Sequence, residues 1–330
     1  MNALYALIAV AALLVVVYAG AGPGGSQYLF GVVIPYVAIA VFLVGVVYRV
    51  LKWASAPVPF RIPAVCGQQK TLPWIRSSRF DSPHNMLGVI GRMALEVLLF
   101  RSLFRNTQVS LTPAKRLVYG SSKYLWLGAL AFHWTFLIIF LRHTRFFLEP
   151  TPAFLHILEY WDGFLQLTAP TLFMTDAVIV GALLYLLGRR IASPLVRYIS
   201  LPADYFALFV LLGVAISGIS MRYFTKVDLV AVKELCMGLV TLQPVLPGGL
   251  GMPFFIHVFF VSVLFAYFPF SKLMHMGGVF LSPTRNLANN NRMRRHINPW
   301  NAPVEVHTYQ QWEDEFRDKL KASGYALERK

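Results

Sequence analysis

Four histidines stand in two apolar stretches of this 330-residue chain: His133 and His143 in one, His257 and His275 in the other. Ionisable groups at membrane depth are costly, so function is the default reading for them. A lone histidine in an apolar helix can be a packing residue that hydrogen-bonds a carbonyl across a helix interface. Two pairs on two helices are harder to explain that way. Neutral imidazole is a metal ligand, and four imidazoles at two depths are the ligand set for two stacked b-type haems. At 1.5 Å per residue the first pair is separated by about 15 Å and the second by about 27 Å along their helices. If the two helices are antiparallel, His143 meets His257 at one face and His133 meets His275 nearer the other. Eighteen residues return to the same helix face, whereas ten land about 80° away. Tilt and a kink at Pro269 must absorb the unequal spacings.

These helices must sit in a membrane. The chain is 57% hydrophobic and 14% charged, with a mean hydropathy of +0.57, and its apolar runs approach the ~20 residues a spanning helix needs. Six spans are predicted: Leu4–Tyr18, Tyr28–Trp53, Tyr124–Leu141, Leu172–Leu187, Tyr205–Ile219 and Phe254 to about Phe280. A cleaved signal peptide is the alternative for the first run. No Lys or Arg precedes it, which favours a retained helix. Pro35 should kink the second run or end its first turn. Asn85–Phe104 is apolar but interrupted by Arg92, Glu96 and Arg101. Leu87, Ile90, Met93, Ala94, Val97 and Leu98 recur at helical spacing there, as in an in-plane amphipathic helix.

The fold class expected is an all-α integral membrane protein. Residues 1–54 form an N-terminal pair of spans, 55–121 a basic cytoplasmic connection, 122–282 a dihaem four-helix core, and 283–330 a soluble tail. The net charge of +15 sits in loops between apolar runs, so it reads as topology and not as nucleic-acid binding. The basic 52–123 connection, the Arg189–Arg197 loop and the tail with Arg285, Arg292, Arg294 and Arg295 are all cytoplasmic if both termini lie inside. In the tail, Thr308 and Gln311 form a capping box, Trp312, Phe316 and Leu320 an apolar stripe, and Gly324 the helix stop. The stripe should pack on another surface. Cys66 and Cys236 are the only cysteines; the topology puts them on opposite sides, against a disulfide. No CxxC or CxxCH occurs, so no cluster of usual spacing and no c-type haem is expected.

Haem carboxylates need cationic partners. Arg142 and Arg145 flank the outer histidine, and Lys272 and Lys123 are inner candidates; snorkelling at helix ends is the alternative for each. Asp176, followed by Glu159 and Asp162, are candidate proton acceptors on the outer side. For Asp176 a helix cap or a structural partnership with Arg145 is the blander alternative.

The ten- and eighteen-residue spacings, in this order, resemble the nitrate reductase gamma subunit family of dihaem cytochromes b. The resemblance covers roughly residues 120–285. The N-terminal helix pair, the basic connection and the tail around Asn298-Pro-Trp-Asn301 are more specifically similar to the membrane cytochromes b of sulfite-reduction-associated Dsr complexes. That resemblance implies menaquinol or menaquinone exchange beside the outer haem. It also implies a cytoplasmic iron–sulfur partner like the catalytic subunit of heterodisulfide reductases, further membrane and periplasmic electron-transfer subunits, and a place in sulfur-linked anaerobic respiration in the cytoplasmic membrane. The rival readings are a haem-free structural anchor, a proton path of the transporter kind, and a solute channel. The absence of repeated halves argues against the channel.

Overall fold

The computed structural model describes residues 1–330 except 24, 58–66, 114, 164–170, 295–302 and 329–330. Arg61, Cys66, Arg295 and the 298–301 segment therefore lie outside the described residues, and with them the expectation about a disulfide.

Helix α1 covers Asn2–Gly20, and a π turn at Leu29–Val33 leads into α2, Ile34–Ala54. Pro35 follows the π turn in the first turn of α2, where its missing N–H interrupts the backbone ladder. Then come α3 (Met86–Leu99), α4 (Arg101–Phe104), strands β1 (Thr107–Leu111) and β2 (Leu117–Ser121), α5 (Lys123–His143) and α6 (Ala153–Asp162). The rest is α7 (Met174–Ala192), α8 (Pro194–Ile199), α9 (Pro202–Ser220), α10 (Leu229–Val240), α11 (Met252–Tyr267), α12 (His275–Leu281) and α13 (Tyr309–Ala322).

Five of these helices are long and apolar enough to cross a membrane: α1, α2 with its π turn, and α5, α9 and α11 with their extensions. Their outward faces are apolar; Leu4, Ile8, Val15, Val37, Val44 and Leu51 are each more than half exposed. A continuous apolar exterior of this kind belongs in lipid and not in water. Helix α7 matches them in length, but Asp176, Arg189 and Arg190 lie at its ends. It runs antiparallel along α5. Gly128 receives the Tyr185 ring at one end, and Arg142 meets Thr175 and Asp176 at the other. Packing proceeds α5–α7–α9–α11–α2, with α1 against α9 and α11. The helix ends sort consistently: Asn2 Nδ2 donates to Ser200 O at one end of the bundle (2.8 Å), and Tyr36 OH to Leu239 O at the other (3.0 Å). Two apolar cores hold the bundle, one around Phe30, Leu235 and Phe255, the other around Leu183, Leu187 and Tyr205.

Two expectations need correction. The sixth span is broken, not kinked. Tyr267 ends α11, 3₁₀ turns occupy Phe268–Phe270 and Lys272–Met274, and Ser271 between them is extended. Pro269 lacks the N–H that would continue the ladder, and the Ser271 hydroxyl instead caps Leu273 N (3.1 Å). The all-helical expectation fails at 107–121. There β-branched and aromatic residues alternate with polar ones and pair in an antiparallel hairpin, closed by Lys115 N to Thr112 O (2.9 Å) with Lys115 at φ +57°. The C-terminal helix forms with its Thr308–Gln311 box, and Gly324 follows at φ +78°. Its buried residue is Glu313, which accepts from Glu328 N (2.9 Å); Trp312 of the apolar stripe is 41% exposed, and Phe316 and Leu320 are half-buried.

Helix α3 turns its apolar face outward and its charged face toward the rest of the chain. Asn85 caps it through Gly88 N (2.9 Å). Leu87, Ile90, Val97 and Leu98 are exposed, whereas Arg92 and Glu96 are buried. Arg92 Nη2 donates to Thr284 O (3.1 Å), and Glu96 accepts from Ser102 N (3.1 Å) and pairs with Arg285 (3.4 Å). The charged side thus grips the start of the tail, leaving the apolar side exposed.

Candidate functional site: two facing histidine pairs

The last turn of α5 carries His143, and the second turn of α11 carries His257. Their rings face each other with centroids 6.2 Å apart and planes inclined by 18°. Ten residues back along α5, His133 faces His275, the first residue of α12, at 5.8 Å and 80°. The break after Tyr267 is what brings His275 to the level of His133, because a straight helix would carry it about 27 Å from His257. Helices α5 and α11 are not among the helix pairs that pack closely side by side among the described residues. Their histidines meet across the space between them.

All four rings are oriented through the same atom. Nδ1 lies 2.7 Å from Ala129 O in His133, 2.7 Å from Ile139 O in His143, 3.1 Å from Val214 O in His257 and 2.8 Å from Lys272 O in His275. A carbonyl only accepts, so each Nδ1 carries the proton and each Nε2 keeps its lone pair. His257 shares its N–H with Ser217 Oγ (3.0 Å), whose own hydroxyl donates to Gly213 O (2.7 Å). Gly218 makes room for this ring; a Cβ there would stand 3.2 Å from His257 Cε1. The His133–His275 pair is more open, with His133 half-buried and His275 exposed. Phe100, held at φ 49° between α3 and α4, closes one side of it, its ring 4.9 Å from that of His133. Trp126 and Trp134 of α5 donate to Leu99 O (2.7 Å) and Leu98 O (3.0 Å) and fix that junction.

The expected cations are already engaged. Arg142, 8% exposed, binds Asp162 and reaches Asp176 at 3.4 Å. Arg145 binds Glu159, Lys272 binds Asp204 at 2.7 Å, and Lys123 stands over the Phe104 ring. The expected proton acceptors are the other halves of the same pairs. Asp162 also accepts from Thr175 N and Oγ1 (2.9 and 2.6 Å), and Asp176 accepts from Tyr223 OH (2.7 Å). The structural partner of Asp176 is therefore Arg142 rather than Arg145. Phe173 is sandwiched by two guanidiniums, with Arg142 3.7 Å and Arg222 4.0 Å from its centroid. Three arginines have a buried N–H with no acceptor among the described residues: Arg49 Nε, Arg92 Nη1 and Arg222 Nε. Of the three, the sequence singles out only Arg92, as a charge interrupting an apolar stretch.

Two clefts flank the His143 end of α5. One, of about 520 Å³, is lined by Arg145, Phe146, Leu229, Val230, Lys233 and Met237. Phe146 connects it to the site, its ring 6.0 Å from that of His143. The other, of about 330 Å³, is lined by Arg145, His156, Glu159, Tyr160, Phe173 and Arg222.

Comparison with known proteins agrees with this architecture. The profile of the family described as nitrate reductase gamma subunit matches residues 88–295. A protein of Archaeoglobus fulgidus named Hdr-like menaquinol oxidoreductase cytochrome b-like subunit is 46% identical over 285 residues, covering 84% of this chain and 85% of its own. A protein of the same name from Archaeoglobus profundus is 41% identical over 288 residues, covering 85% of each. With the profile spanning more than half of the chain, and both histidine pairs inside the matched region, the chain belongs to the nitrate reductase gamma subunit family.

Proposed function

We propose that this protein is the dihaem cytochrome b of a menaquinol-oxidising membrane complex, carrying electrons from menaquinol on the outer side to an iron–sulfur partner on the cytoplasmic side. The observation that carries this reading is the geometry of the two histidine pairs. Imidazole–metal bonds are about 2 Å long, and a ring centre lies roughly 1 Å behind its nitrogen. Two imidazoles on one iron therefore place their centroids about 6 Å apart, and the pairs stand at 6.2 and 5.8 Å. His143 and His257 would hold the outer haem, His133 and His275 the inner. Haem supplies one-electron chemistry at a potential set by its axial ligands and their surroundings. The carbonyls at Nδ1 fix the ring tautomers and raise ligand basicity, as metal-binding histidines require. Arg49 and Arg92 toward the inner end, and Arg222 toward the outer, have unpartnered donors suited to haem carboxylates.

Menaquinol would enter at the outer end of α5, where the cleft walled by Phe146 adjoins His143. Its oxidation releases two protons, and Glu159 and His156 line the neighbouring cleft where a proton can be taken up. Asp162 and Asp176 serve chiefly to hold Arg142. Helix α7 counts as the sixth span, since it runs the length of α5 and its terminal charges sit at the two interfaces. Both termini are then cytoplasmic, and the tail beyond 283 helps hold a partner subunit in sulfur-linked anaerobic respiration. The test is direct: purified protein should bind two haems per chain, measured as pyridine haemochrome, and show a b-type α band that a menaquinol analogue reduces. A colourless preparation refutes the reading.

A further inference from the structure

Hairpin β1–β2 buries nothing: every residue of both strands is exposed. Its register pairs Val109 with Tyr119 and Leu111 with Leu117, so these four side chains share one face. An isolated two-stranded hairpin is marginal in water, and a contiguous exposed apolar face marks a docking surface.

Its place in the fold says what docks there. Strand β2 runs directly into α5, ten residues before His133. Immediately before β1, α4 holds Phe104 against Trp126 at 4.9 Å, and Phe100 at the start of that turn touches His133. The hairpin is thus rooted on the segment that closes the inner histidine pair. Its charge has one sign. No acidic residue occurs from Val97 to Leu148, and Lys115 and Arg116 stand exposed at the hairpin tip. Such a basic surface attracts an acidic partner and opposes a second copy of itself. The two open strand edges carry unpaired backbone groups, which lipid cannot satisfy but a protein can.

We propose that the Val109–Leu111–Leu117–Tyr119 face and the Lys115–Arg116 tip form the docking surface for an acidic soluble redox protein that exchanges electrons with the inner histidine pair. The proposal rests on the function given above and assigns partner binding to this hairpin in addition to the tail.

The test uses full-length protein in native membranes. Tyr119 is replaced by p-benzoylphenylalanine and irradiated, and, separately, Lys115→Glu/Arg116→Glu is compared with wild type. The expected adduct is an acidic protein carrying flavin or an iron–sulfur cluster. Charge reversal should lower both adduct yield and the rate of electron transfer to that protein at least tenfold. The quinol-reduced α band should keep its amplitude, since neither residue approaches a histidine. An adduct with lipid, with a second copy of this chain or with a protein lacking a redox group overturns the proposal, as does an unchanged transfer rate. Absence of the α band in wild type would instead defeat the functional reading, and the adduct would still report what the hairpin binds.

Discussion

If each iron is held by one histidine from each helix, removing histidines must follow a rule that depends on pairing and not on number. His143→Ala takes one of two nitrogens from the outer site and leaves the inner rings untouched at 5.8 Å. Haem content should fall to about half. Adding His257→Ala removes the other nitrogen of the same site, so the double variant should still hold half. His143→Ala with His275→Ala takes one nitrogen from each site and should leave almost none, and His133→Ala with His257→Ala should do the same. The separation of the sites sets the sharpness of this contrast. Ten residues on α5 span about 15 Å, too far for a ring of one pair to replace a ring of the other. Pyridine haemochrome per chain, with size exclusion to confirm folding, reads all four variants. Equal haem in the same-pair and cross-pair doubles would refute the arrangement, and so would retention of both haems in His143→Ala.

Other outcomes follow from the same contacts. Ser217→Ala removes the hydroxyl at His257 Nδ1 but leaves Val214 O at 3.1 Å; haem loss from the outer site to apomyoglobin should accelerate by about 10- to 100-fold, with the inner site unaffected. Arg142→Gln leaves Asp162 buried and Asp176 half-buried without their counter-charge and should cost about 3–5 kcal/mol, seen as an earlier thermal transition in detergent. A third substitution, Asp162→Asn, should recover part of that loss, and no recovery would mean the pair is not what Arg142 stabilises. Burial alone would raise the Asp81 carboxyl, but hydrogen bonds from Arg101, Arg105 and Ser78 hold it well below the usual range. Its contribution to stability is therefore present above the unfolded value of about 3.9 and lost as pH falls from there through the lower folded value. Asp81→Asn should loosen the 79–105 region at neutral pH, measured by limited proteolysis, and should flatten its acid sensitivity.

Much of this protein is legible without a structure because lipid imposes few solutions. A bilayer demands long runs of apolar side chains with internally paired backbones, and such runs announce α1, α2, α5, α9 and the start of α11 by composition alone. The histidines are conspicuous for the same reason, and residue number along a helix converts to depth. The order of the two pairs, and which ring meets which, follows from helix direction.

What the linear order could not supply is everything decided by contacts between distant segments. The break at Phe268–Ser271 sets the level of His275, and its geometry depends on how Pro269 packs against α2, where Gly45 lies under the proline ring. Partnerships among the outer charges were equally hidden. Arg142, Asp162 and Asp176 lie on three elements, and an arginine beside a histidine is drawn to whichever carboxylate the fold brings within reach. Phe100 reaches His133 only because α3 ends in a left-handed residue against two tryptophans. Periodicity along one chain reports which side chains share a face; Coulomb and packing energies between faces depend on distances that only the assembled bundle sets.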